Sequence, residues 1–255
     1  MAQFVLVFLL IGGVELEVDW SELSVHFYGP VNLVSDTLYK GELEASLDSM
    51  LATIPLYGEL SLGDAVARSR DAQNYFQTAL SYPQVVSTRY STAGEVQNEY
   101  VISLVGPFLE ELIPRPMQPP TLHEQEPDAS TGPEQNNLSS IPSTGFIIDA
   151  RGTGFRPGIF PRLLDPQGNV ILDAGNVDRD VLLERGYVHY AYSPRAALQT
   201  RELGLNPLRL VAERTVGRDR CDIVLSSADA ERILDSPLNL RLLCECMVTI
   251  IIDRQ

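Results

Sequence analysis

The chain has 255 residues, 44% apolar and 21% charged, enough for one large domain or two small ones that each bury a core. Its net charge of −15 sits almost wholly in residues 1–143, where 19 acids face five bases, while residues 144–255 hold 15 against 14. Acidity of that strength repels phosphate backbones and anionic lipid surfaces, so it argues against nucleic acid as a partner and reads as a solvated face.

The chain opens MAQFVLVFLLIGGVELEV, with residues 4–11 continuously apolar. The run is too short to span a bilayer. It suits either the core of a secretory signal or a buried strand. No Lys or Arg precedes it, and neither an Ala-x-Ala site nor a lipid-attachment cysteine follows. Residues 1–17 are therefore set apart as a signal-like segment. Residues 23–28, LSVHFY, read as a strand closed by Gly29-Pro30. Residues 36–54 place Leu38, Leu43, Leu47, Met50, Leu51 and Ile54 at helical spacing, and Pro55 stops the helix. A single helix is predicted over 61–82, with Ser61 as N-cap and Asp64 at the capping-box position. Residues 84–89 read as a short strand. Residues 94–113 read as a third helix interrupted at Gly106-Pro107.

Composition then shifts. Residues 114–143 are rich in Pro, Gln, Asn, Ser and acids, with almost no large apolar groups. Such a stretch cannot bury enough surface to offset its chain entropy. It is expected to be a flexible linker between an N-terminal α/β domain at 18–113 and a mixed-sheet domain at 144–255, with His123 as a solvated linker residue. The second half is strand-rich. GFIID at 145–149 reads as a strand. Residues 158–173 read as a hairpin turning at Asp165-Pro-Gln-Gly168. A short helix from Asp180 closes at Gly186, and a strand follows at 187–192. Ser193-Pro194 starts a helical turn. Strands are predicted at 207–213, 221–225 and 247–252, with a helix over 229–234 capped by Ser226 or Ser227. The fold class predicted is α+β.

The three cysteines, Cys221, Cys244 and Cys246, are too few and odd in number for a disulfide framework, and no His adjoins them to complete a zinc set. Read in a strand, Cys244 and Cys246 would share a face as buried thiols. The stretch TGFIIDARGTGFRP at 144–157 draws the most interest. It lacks the third glycine and following helix of a dinucleotide loop, and the only lysine of the chain is Lys40, so no P-loop exists. Its glycines are expected to shape a turn leaving the strand. Asp149 and Arg151 fall on one face of an extended segment, and Arg162 can return from the facing hairpin. These three are predicted to form a buried structural charge cluster. Arg151, Arg156 and Arg162 could alternatively bind an anion. A third reading pairs Asp149 with His189 in a hydrolytic site. No Gly-x-Ser-x-Gly elbow is present, and no metal or cofactor is implied.

The segment TGFIIDARGTGFRPGIFPRLLDPQGNVI resembles the Asp-Ala-Arg-Gly block of envelope proteins related to the twenty-kilodalton LPP lipoprotein family and to flagellar assembly protein T. Gly186-Tyr-Val-His-Tyr-Ala, Leu205-Asn-Pro-Leu-Arg-Leu-Val-Ala and Asp222-Ile-Val-Leu-Ser-Ser-Ala-Asp-Ala continue the likeness. Upstream, Val18-Asp-Trp-Ser and Ala65-Val-Ala-Arg-Ser-Arg-Asp-Ala-Gln-Asn-Tyr-Phe resemble its first strand and Ala-rich helix. The chain departs from the pattern in lacking a lipid-attachment cysteine, in a longer 30–60 region and in lacking the Asp-Gly-x-x-x-Val strand. The resemblance implies an exported, non-catalytic protein of the periplasm or outer membrane. Its expected partners are envelope or flagellar proteins, a second copy of the chain among them.

Overall fold

The computed structural model describes residues 14–31, 33, 37–90, 96–114, 142–200 and 203–254. The expectations for residues 1–13, and for 115–141 with His123, lie outside these. Two sheets organise the chain. The first is antiparallel, with strands β1 (Leu16–Asp19), β2 (Ser24–Pro30), β5 (Gln84–Tyr90) and β6 (Val96–Ser103) in the order β1-β2-β6-β5. Its inner face carries Leu16, Val18, Val25, Phe27, Tyr100 and Ile102, all buried. They join one core with the buried residues of α1 (Thr37–Leu51), α2 (Leu62–Arg68) and α3 (Arg70–Ser81). Between α1 and α2 lies a small hairpin of β3 (Pro55–Tyr57) and β4 (Leu60–Ser61), so Pro55 ends the helix and also opens a strand.

The helix predicted over 61–82 is two helices. Ser61 caps the first as expected, accepting from the Asp64 amide at 3.1 Å. Ser69 then breaks the run. Its N–H closes α2 on the Ala65 and Val66 carbonyls, while its hydroxyl caps α3 by accepting from Ala72 N. The helix predicted over 94–113 is a larger miss. Residues 96–103 form β6, because Asn98, Tyr100 and Ile102 turn inward at every second position. Among the described residues of that stretch, only Pro107–Leu112 is helical, as a 3-10 segment.

The second sheet is mixed. Its strands are β7 (Phe146–Asp149), β8 (Leu163–Leu164), β9 (Val170–Leu172), β10 (His189–Ala191), β11 (Leu208–Val216), β12 (Asp222–Leu225) and β13 (Val248–Ile251). The order is β10-β13-β7-β11-β12-β8-β9. β10, β13, β7 and β11 run parallel, β12 is antiparallel to β11, and the β8–β9 hairpin turns at Asp165–Gly168 as predicted. Phe146, Ile147, Ile148 and all of β13 are buried, as central parallel strands covered on both faces must be. α5 (Pro194–Ala197) lies on one face over Ile147, Ala191 and Ile251. Of the other helices, α4 (Arg179–Arg185), α6 (Ser227–Leu234) and α7 (Pro237–Cys244), the last was missed from the sequence. Ser236 caps α7 and Pro237 opens it. Cys244 therefore ends a helix, exposed, while Cys246 sits buried at φ 57, and the two thiols share no face. The architecture is α+β.

The core is continuous across the two sheets. The backbone of 159–160 bonds to β3, Ile159 N to Pro55 O at 2.9 Å and Phe160 N to Leu56 O at 2.8 Å. The Tyr190 hydroxyl donates to Gly158 O at 2.7 Å and accepts from Gly158 N at 3.1 Å. Trp20 meets the Tyr190 ring edge to face at 5.6 Å. Gly158 is required here, since a Cβ would stand 2.8 Å from Pro55 O.

Candidate functional site

The DARGTG stretch leaves the carboxyl end of β7, between its parallel neighbours β13 and β11. In open α/β sheets that end of the strands is where ligands bind. Gly152 and Gly154 take φ of 74° and 73°, so the glycines do form a turn. The Gly152 amide donates to Asp253 Oδ2 at 2.8 Å, and Ala150 N donates to Ile251 O at 3.0 Å. Asp149 accepts two bonds from the Arg151 guanidinium, at 2.8 and 2.6 Å, and one from its backbone amide. Those hydrogen bonds, against a smaller opposing effect of burial, hold the Asp149 carboxyl below its ordinary value. The Arg151 and Asp149 side chains are 41% and 28% exposed, so this is a surface pair.

Arg162 does not join that pair. It turns to Asp222, donating from Nε at 3.1 Å and Nη2 at 2.5 Å, while its backbone amide donates to the other oxygen at 3.0 Å. Asp222 is wholly buried at the start of β12. The buried carboxylate of this unit is therefore Asp222, and the three-residue cluster expected at Asp149 divides into two separate pairs. Arg156 lies 3.6 Å from Asp219 and donates to the Thr53 carbonyl. The three arginines weighed as an anion site thus each face a different aspartate. An anion would have to displace those carboxylates. His189 stands on β10, with β13 between it and Asp149 on β7, two residues out of register, so the Asp149–His189 pairing is not assembled.

A second charged constellation escaped the sequence reading. On the outer face of the first sheet, His26 is 7% exposed. Its Nδ1 lies 3.0 Å from Glu99 Oε1 and its Nε2 lies 3.0 Å from Ser24 Oγ. Burial raises the Glu99 carboxyl, but hydrogen bonds from Ser87 and His26 outweigh it and leave the group lowered. Glu17 is the register partner of His26 on β1. Its Oε1 is buried with no hydrogen-bond partner among the described residues, and desolvation raises its carboxyl. The Tyr192 phenol, just past β10, lies near Asp19, Glu17 and Arg254. Burial first, then Asp19, pushes it up to about 12. The only sequence signal for this site was the alternation Ser24, His26, Tyr28 along β2, which puts polar groups on the face opposite Val25 and Phe27.

Two open clefts share Pro114 in their lining. One, of about 450 Å³, is lined by Arg68, Arg70, Asp71 and Glu111 over Leu56 and Leu112. The other, of about 400 Å³, lies between Glu110 and Arg179, whose side chains pair at 2.8 Å. Both carry mixed charge.

Residues 145–254 match the protein-family model described as Treponema pallidum Tp0624, second domain. The match spans the second sheet with its helices, from just ahead of β7 to just past β13. That description carries no activity, substrate or partner. No curated protein matches the chain.

Proposed function

We propose that the chain is a non-catalytic protein of the bacterial envelope that works by docking to other proteins, in flagellar or outer-membrane assembly. The observation that carries the docking part is strand β5. It is one edge of the first sheet, and all seven of its residues are exposed. Val85, Val86 and Tyr90 stand out to solvent, and Tyr82 precedes them at 83% exposure. An apolar edge strand is a template for adding a partner's extended segment, with main-chain bonds for affinity and alternate side chains for specificity. The bulge between Val85 and Ser87 confines the regular pairing edge to residues 87–90. The envelope setting rests on the resemblance of residues 144–157 and the elements downstream.

A photo-crosslinking residue at Tyr90, in cells making the full chain, tests the docking. It should trap another protein, and Thr88→Lys, two residues away on the same edge, should sharply reduce the yield. Crosslinks that are absent, or indifferent to the added charge, overturn the edge as the docking surface. Fractionation tests the setting, and recovery of the chain only in the cytoplasm overturns it.

A further inference from the structure

Among the described residues, the outer face of the first sheet gathers more negative charge than its cations balance. Asp19, Glu22 and His26 each bring one ligand atom to within 4.8 Å of the other two. Glu17 and Glu99 adjoin the same imidazole on the neighbouring strands. Four carboxylates thus surround one histidine. Among the described residues, the nearby cations include Arg89, which lies over the Tyr28 ring at 3.4 Å, and Arg254 beside Tyr192.

The local chain explains how the ligands converge. Asp19 ends β1, and its Oδ1 accepts from the Ser21 amide and hydroxyl and from the Glu22 amide. That folds the connection between the strands so that Glu22 comes back over the sheet. Leu23, held at φ 48 with its carbonyl bonded to Leu104 N, returns the chain into β2 and sets His26 on the same face as Asp19. Glu99 orients the ring, because a carboxylate on Nδ1 fixes the tautomer in which Nε2 carries the lone pair. This is the outer partner that metal-ligating histidines usually have. Nε2 now lies against Ser24 Oγ, a contact a metal ion would replace.

We propose that Asp19, Glu22 and His26 Nε2 form a site for a divalent cation of the zinc class, with Glu99 as the positioning residue and Glu17 as a further carboxylate beside it. One imidazole with two carboxylates suits a borderline cation, and a dication would offset the crowded charge. The ion would pin the β1–β2 connection to the sheet face. That face adjoins the junction with the second sheet, where Trp20 meets Tyr190.

The test uses the full chain stripped with a chelator and titrated with ZnCl2 by calorimetry, then with Co²⁺ followed by absorption. One Zn²⁺ should bind per chain and raise the melting temperature. Glu22 is exposed, so Glu22→Gln leaves the fold intact and should weaken binding by at least about tenfold. Glu99→Gln should weaken it by about 10- to 100-fold, and His26→Gln should abolish it. The Co²⁺ spectrum should show nitrogen and oxygen ligands only. No stoichiometric uptake, affinity unchanged in Glu22→Gln, or a thiolate charge-transfer band pointing to Cys244 would each overturn the site. None of these readouts depends on a docking partner, so the outcome is separate from that of the β5 experiment.

Discussion

The two sheets meet water in opposite ways. In the first, strands alternate. Val25 and Phe27 turn to one face and Ser24, His26 and Tyr28 to the other, where Ser24 and His26 are still buried, so charge is spread across a sheet face while the β5 edge is exposed. In the second, the central strands β7 and β13 are buried on both faces, and the aspartates of two ion pairs sit at strand ends: Asp149 at the end of β7, Asp222 at the start of β12. An alternating antiparallel sheet can carry a polar site in the middle of its strands, whereas a strand buried on both faces, like β7, puts its charge where it stops.

The largest expected effect lies in the second sheet. Asp222→Ala removes one partner of a buried pair and leaves Arg162 and its backbone amide without an acceptor. Only Asp222 is fully buried and the Arg162 side chain is 34% exposed, so the loss should be about 2–4 kcal/mol, read by denaturant unfolding. A loss under about 1 kcal/mol would mean that burial does not distinguish the two aspartates. Next comes the joint between the sheets. Gly158→Ala drives a Cβ into Pro55 O and should cost about 1–3 kcal/mol. Tyr190→Phe removes the hydroxyl that both donates to and accepts from Gly158 and should cost about 1–3 kcal/mol, with a single unfolding transition retained. Two transitions in either variant would show that the sheets unfold separately despite their common core.

The smallest effect belongs to Asp149→Ala, expected to lower the melting temperature by less than about 4 °C, because its pair with Arg151 is exposed and screened. The pH dependence has a definite sign. Asp149 is held below its ordinary 3.8, so its contribution is present above that value and is lost as pH falls through the lower folded value. Wild type and Asp149→Ala should therefore converge in stability in acid. A gap that persists there, or one as large as that of Asp222→Ala, would break the distinction between strand-end charges.

Local chemistry was legible where a residue chooses the conformation of its own neighbourhood. Ser61 announces a helix because its hydroxyl reaches an amide three residues on, and Asp165–Gly168 announces a turn. GFII and MVTIII read as buried strands because both faces must be apolar. The same reading failed on VQNEYVIS, where the consecutive polar residues Gln97, Asn98 and Glu99 fall on both faces and blurred a period of two, and on PLNLRLLC, a helix of only eight residues. What the chain alone determined is the segment list of most of the fold, the acidic first half and the turn chemistry, all set by contacts within a few residues. Only the tertiary structure decided that Arg162 meets Asp222 sixty residues away, that Gly158 lies against Pro55, and that β1 and β6 bring Glu17 and Glu99 to His26. Those pairings depend on how strands from distant segments lie side by side. A charged residue carries no local sign of which distant partner the fold will place beside it.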